Sequence, residues 1–241
     1  MDSDLCPDVL AAGGLVPALR QAGAELGVNV TVVPDGAGAR IRWEGQDGAV
    51  VRDPLQVELS AKERTFFTTG MGPDRGVELV SGTVTGLGNV VRLAVAWGQG
   101  VALSHLHAQF PGTYSSKLAL AHEQGLEAVL ALQWRMLHDQ AAEEESFVAF
   151  GELVRAAYAE PRLRRLSAFT SHWVLGFSTS VHPHAQPVIA LAPAGEARPY
   201  EVRRYPHDGV LAQASTAREA VTLALAHLPE GLGPVTADRE P

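Results

Sequence analysis

The residue best suited to acid–base chemistry is His172, in the run Phe169-Thr-Ser-His-Trp-Val-Leu-Gly-Phe-Ser178. The pattern predicts a strand from Phe169 to Phe177, with His172 on one face and Ser171 and Trp173 on the other. Apolar neighbours can tune an imidazole close to neutrality, which suits general acid–base catalysis, and Ser171 can assist by hydrogen bonding. The same setting also suits a histidine that completes a core or a sheet edge. A second group precedes it, His122-Glu123 and Trp134-Arg135. An aromatic face beside a guanidinium and a carboxylate would hold a small ligand with polar and apolar parts, and Trp173 could join it. Trp134 is equally suited to a core.

Other motifs are weaker. Gly82, Gly86 and Gly88 in Ser81-Gly-Thr-Val-Thr-Gly-Leu-Gly88 have the glycine spacing of a pyrophosphate-binding turn. That turn should close the first strand of a parallel sheet, whereas an antiparallel meander is expected ahead of it, and no Tyr-x-x-x-Lys pair follows. The pairs His105/His107 and His182/His184 have a His-x-His form that could reach one metal from a strand. His105 and His107 are expected to open a helix, where such neighbours diverge, and His182-Pro-His184 reads as a turn. There is no Gly-x-Ser-x-Gly elbow and no phosphate-binding P-loop. Arg162, Arg164 and Arg165 could hold an anion or simply complement a helix C-terminus. Cys6, the sole cysteine, lacks an electropositive neighbour that would lower its pKa. The chemistry expected is therefore free of cofactor and metal.

These groups need a scaffold. Asp8 to Leu26 has helical spacing, with a kink or restart expected at Pro17. Val28–Val33, Arg40–Trp43, Ala49–Val51, Leu55–Leu59 and Gly76–Val80 are expected strands, and Asn89–Trp97 a helix. From Val101 to Gln140 the pattern is helical, and Glu143-Glu-Glu145 reads as a solvated turn. The last third repeats the plan. A helix over Phe150–Tyr158 precedes the strand through His172 and strands at Val188–Leu191, Tyr200–Arg204 and Val210–Ala214. Thr216-Ala-Arg-Glu219 is a capping box opening a helix that stops before Pro229. Gly13-Gly-Leu-Val-Pro-Ala18 is echoed by Gly151-Glu-Leu-Val-Arg-Ala156, and Val90–Trp97 by Ala220-Val-Thr-Leu-Ala-Leu-Ala-His227. The expectation is an α+β fold of two similar α–β(meander)–α modules, residues 1–100 and 147–241, joined by a helical middle segment, 101–146.

The whole chain narrows the function classes. Its 241 residues carry a net charge of −8, which argues against nucleic acid, since phosphate neutralisation needs a concentrated basic face. No run approaches the ~20 apolar residues that span a bilayer. The acidic opening Met-Asp-Ser-Asp-Leu-Cys-Pro-Asp has no signal-peptide pattern, and a single cysteine fits a reducing compartment. A cytoplasmic protein is expected, and a homodimer is compatible with it.

A series of segments then carries a resemblance. Leu118-Ala-Leu-Ala-His-Glu-Gln-Gly125, Gln133-Trp-Arg135, Ala157-Tyr-Ala-Glu-Pro-Arg-Leu-Arg164 and Phe169-Thr-Ser-His172 come in order. Leu175-Gly-Phe-Ser178, Tyr200-Glu-Val202, Glu219-Ala-Val221 and Leu228-Pro-Glu-Gly-Leu-Gly-Pro234 follow, and Pro7-Asp-Val-Leu-Ala-Ala-Gly-Gly14 fits too. Together they resemble a bacterial family of unknown function (domain of unknown function 6193) usually labelled natural-product biosynthesis proteins. The resemblance implies a specialised-metabolite pathway and supplies no catalytic residues. The chain departs from the family around Thr113–Ser116 and Val181–Gln186. The expected function is a cofactor-independent cyclisation, isomerisation or elimination on a small-molecule or peptide biosynthetic intermediate. His172 and Ser171 would be catalytic, with Trp134, Arg135, His122, Glu123 and Trp173 binding substrate. The alternative is a non-catalytic protein presenting a metabolite, a precursor peptide or a partner enzyme.

Overall fold

A computed structural model describes residues 6–45, 52–72, 76–144, 146–182, 185–195, 198–204, 209–232 and 235–236. The expected strand at Ala49–Val51, and His184 of the second histidine pair, lie outside these residues. The chain forms an α+β fold of two compact units, 1–123 and 124–241. The stretch 101–146 divides between them.

In the N-terminal unit, α1 (Pro7–Ala11) and α2 (Leu15–Glu25) lead into five antiparallel strands. These are β1 (Val30–Asp35), β2 (Gly38–Trp43), β3 (Leu55–Leu59), β4 (Phe66–Met71) and β5 (Glu78–Val84), paired in chain order. Then come α3 (Leu87–Gly98), α4 (Leu103–Gln109), the short β6 (Thr113–Tyr114) beside β5, and α5 (Lys117–Gln124). The register Val32↔Ile41↔Leu55 and Val57↔Thr68 aligns the buried residues on one face. Helices α2 and α3 pack on that sheet and on each other. Trp97 of α3 is buried and its indole donates to the Asp53 carbonyl at 2.7 Å.

Two local expectations change here. The first helix breaks at Gly13-Gly14, both with positive φ, and not at Pro17. Pro17 falls in the first turn of α2, where its missing N–H costs nothing. Strand β4 was not marked by the apolar pattern, because its inward positions are Phe66, Thr68 and Gly70. Gly70 is a packing requirement, since a Cβ there would lie 2.7 Å from the Trp97 ring.

The C-terminal unit opens with α6 (Leu126–Glu143), α7 (Val148–Ala159) and the one-turn α8 (Pro161–Arg164). Strands β7 (Ser167–Ser171), β8 (Val174–Ser178), β9 (Ile189–Ala192), β10 (Tyr200–Arg203) and β11 (Val210–Ala214) again pair in chain order, and α9 (Ala217–His227) follows. Both units thus run helix, five-stranded meander, helix, and α7 packs on α9 as α2 does on α3. The capping box forms as the residue types require: Thr216 Oγ1 accepts from the Glu219 N–H at 3.2 Å, and the Glu219 carboxylate accepts from the Ser215 N–H at 2.9 Å. Apolar Leu175, Phe177, Ile189, Leu191 and Val202 are all buried and supply the inner face.

The largest correction concerns the run bearing His172. It is two strands and a hairpin, not one strand. Ser171 pairs with Val174, so His172 and Trp173 form a two-residue turn with φ of 51° and 68°. Two consecutive left-handed residues match the right-handed twist of the flanking strands. The apolar pattern passes through such a turn unbroken because neither residue is Gly, Asn or Asp, the usual markers.

Candidate ligand hollow over Trp134

Helix α6 is amphipathic and buries Val129, Leu132, Trp134 and Leu137. Trp134 is the pivot of the C-terminal unit's side-chain packing. Its ring lies 6.1 Å from Phe177 on the inner sheet face and 5.3 Å, edge-on, from Tyr158 of α7. Its indole N–H donates to the Arg164 backbone carbonyl at 3.2 Å, which ties α6 to the end of α8. One residue earlier, the Gln133 amide hydrogen-bonds the Ser167 hydroxyl at 3.1 Å and fastens α6 to β7.

Outside this packed layer lies a hollow of about 540 Å³, lined by Leu130, Trp134, Arg135, His138, Tyr158 and Arg164. His138 meets Tyr158 edge-on at 4.9 Å, and the Arg164 guanidinium sits 5.4 Å from the Tyr158 ring centre. Arg135 and Arg164 are exposed and form no ion pair among the described residues. Among the described residues no carboxylate lines the hollow. Tyr158 is 40% exposed, while Trp134 is 3% exposed and backs it. The hollow therefore offers one accessible ring beside two cations without an ion pair among the described residues, a lining that accepts a flat apolar group carrying negative charge. His138 follows Trp134 by four residues on α6, a spacing that places both on one helix face, whereas Tyr158 lies on α7 and carries no sequence signal beyond being ring-bearing. Only the α6–α7 packing brings Tyr158 to the other two.

The remaining predicted residues lie elsewhere. His172 and Ser171 are exposed at the β7–β8 turn, and the Ser171 hydroxyl shares a 3.1 Å hydrogen bond with His172 Nδ1. Among the described residues no carboxylate bonds the other ring nitrogen. Trp173 leaves the same turn inward and packs edge-on against Phe147 and Phe150 at 5.7 and 5.2 Å. Trp173 thus anchors the hairpin tip to α7.

His122 and Glu123 belong to the N-terminal unit. The Glu123 carboxylate accepts from the Leu103 N–H at the start of α4 at 2.9 Å, and from Arg52 at 3.1 Å. Arg52 in turn lies over Trp97 at 4.5 Å and donates to the Val101 carbonyl. Burial holds the pKa of His122 below the ordinary imidazole value, and its Nε2 is buried with no hydrogen-bond partner among the described residues.

The weaker motifs find structural uses. A Cβ at Gly82 would lie 2.2 Å from the Gly112 carbonyl, so this glycine permits β6 to approach β5. Gly86 precedes α3 with φ +80°. His107 hydrogen-bonds Thr113 at 3.0 Å and Ser115 at 2.9 Å, which joins α4 to the β6 segment. Cys6 is buried, and desolvation pushes its thiol pKa up. No group of three or more His, Cys, Asp or Glu with metal-site geometry occurs among the described residues, and none of their helices is long and apolar enough to cross a membrane.

Residues 128–239 match the model of a family of unknown function (DUF6193). The match bears out the resemblance over that span, which includes the hollow. Leu118–Gly125 and Pro7–Gly14 lie outside it. No curated protein and no solved structure matches the chain.

Proposed function

We propose that the C-terminal unit is a binding module that holds a small-molecule or peptide intermediate of a specialised-metabolite pathway through a flat, anionic part of that ligand. The single observation that carries this reading is the Tyr158 ring, backed by Trp134, beneath the Arg164 guanidinium, with Arg135 on the same hollow and neither arginine ion-paired among the described residues. The volume, about 540 Å³, falls within the ~300–1,000 Å³ usual for small-ligand sites. The Arg164 guanidinium already lies over the Tyr158 ring before binding, which lowers the ordering cost of that contact. The pathway setting comes from the family resemblance.

Native mass spectrometry of the purified protein with pathway intermediates tests this, with 1-naphthoate as a generic probe. Complexes should form in the intact chain and weaken about tenfold when Tyr158→Ala and Arg164→Gln are combined, given the combined loss of ring and cation contacts. Equal binding by the double variant would remove the hollow as the site.

The enzymatic reading keeps one specific observation in its favour, the hydrogen bond between Ser171 and His172 at an accessible turn. In that reading His172 exchanges a proton with a substrate that docks at the β7–β8 tip. Unchanged turnover of an intermediate by His172→Ala would end it.

A further inference from the structure

A second hollow of about 500 Å³ lies on the same unit, away from Trp134, and the function proposed above makes no use of it. Its rim is Arg162 and Arg165, and its floor is Leu166, Leu228, Leu232 and Val235. Leu166, Leu228 and Val235 are each at most 8% exposed. We propose that this hollow binds an amphipathic carboxylate, with the two guanidiniums on the carboxylate and the leucine–valine floor under the alkyl chain.

Four features support the assignment. Residues 162 and 165 are three apart on a single helical turn, so the two cations share a face. Two like charges on one face disfavour each other, and no carboxylate lines the hollow or ion-pairs either arginine among the described residues. Glu160, which caps α8, points its carboxylate at the Arg162 backbone N–H at 3.1 Å and does not line the hollow. The α8 helix has four residues, too short for a helix dipole to account for two cations.

The opposite wall is tied to the sheet at Thr236. Chain leaving α9 turns at Gly231, with φ +74°, and is fastened at Thr236. There the Thr236 N–H donates to the Thr179 carbonyl at 2.8 Å and the Val181 N–H donates to the Thr236 carbonyl at 3.0 Å. This parallel bridge beside the end of β8 fixes the chain next to Val235, and Leu166, Leu228, Leu232 and Val235 border one hollow. A wall of aliphatic side chains facing a pair of bidentate donors selects for an anion with a hydrocarbon body. It gives a purely inorganic anion nothing to gain from the floor, and an alcohol nothing to offer the rim.

The experiment uses the full chain, isotope-labelled, titrated with decanoate below its micelle concentration and followed by amide NMR. Saturable shifts confined to residues 162–166 and 228–236 are expected. Decan-1-ol and acetate should each bind about tenfold or more weakly, since each lacks one half of the recognition. Arg162→Gln combined with Arg165→Gln should lose decanoate by a similar factor while leaving the rest of the amide spectrum in place. Leu232→Asp, which opposes the carboxylate with like charge, is the second variant and should also abolish binding. Shifts located elsewhere, equal binding of decanol or acetate, or wild-type affinity in the double variant would each overturn the proposal.

Discussion

The indole N–H of Trp134 donates to the backbone carbonyl of Arg164 across 30 residues of chain, and the Arg164 side chain returns over the Tyr158 ring that abuts Trp134. One hydrogen bond and two ring contacts thus close a loop through α6, α7 and α8. The loop sets both the wall and the cation of the hollow, so its members should be coupled in stability and in binding.

Trp134→Phe keeps a ring beside Phe177 and Tyr158 but strands the Arg164 carbonyl, with an expected loss of about 1–2 kcal/mol. Trp134→Ala adds a cavity, for a loss of about 3–5 kcal/mol. Urea denaturation followed by circular dichroism measures both. A Trp134→Phe protein as unstable as the Ala variant would mean that the hydrogen bond, and not the packing, dominates.

At the hairpin tip, His172 has φ +51°, a conformation costing a side-chain-bearing residue about 1–2 kcal/mol. His172→Gly should therefore leave stability unchanged or raise it by up to about 1 kcal/mol, and His172→Val should lower it by about 1 kcal/mol. Probe binding at the Trp134 hollow should be the same in both variants. Thermal melts and the naphthoate titration check the two halves separately.

Glu123 should behave as a structural carboxylate. Glu123→Ala leaves the Leu103 N–H without its acceptor and Arg52 without its ion pair, at a cost of about 1–3 kcal/mol. Glu123→Gln keeps an acceptor for Leu103 and should recover part of that loss. Denaturation midpoints of the two variants, compared with ligand affinities, distinguish this from a role in binding, which would move affinity at constant stability.

Alkaline stability should depend on Tyr200. Its phenol donates to Glu152 at 2.7 Å, and burial, then that carboxylate, push its pKa up to about 12. The unfolded chain releases the proton near the ordinary tyrosine value of about 10, so it holds fewer protons than the folded chain above that pH. This contribution is complete below pH ~10 and lost as the pH rises through about 12. Tyr200→Phe should flatten the fall in denaturation midpoint over that window. An equally steep fall in the variant would assign it to other groups.

Much of the scaffold is legible in local chemistry. Leu55-Gln-Val-Glu-Leu59 alternates because one face is buried, and the structure returns it as β3. Thr216 and Glu219 cap α9 as their spacing requires, since both partners lie within one turn. The family resemblance is likewise carried by the C-terminal segments. Where the deciding contact is distant in sequence, local pattern does not report it. Gly70 is intelligible only under Trp97, 27 positions away, and Gly82 only against Gly112.

The candidate site divides in the same way. Residue type alone marked Trp134 and Arg135 as a ring beside a cation, and the spacing of α6 made Trp134 inward-facing. His138, one turn after Trp134 on α6, was placed beside it by helical spacing. That Tyr158 and Arg164 complete the hollow was decided by how α6, α7 and α8 pack, a tertiary matter of which helix face meets which. The turn at His172-Trp173 was decided by strand pairing, because two residues that tolerate positive φ only at a cost take it when the flanking ladder fixes the register. Sequence determined the elements, whose stability is largely local. Tertiary structure decided which side chains share a surface, because that depends on contacts no spacing along the chain encodes.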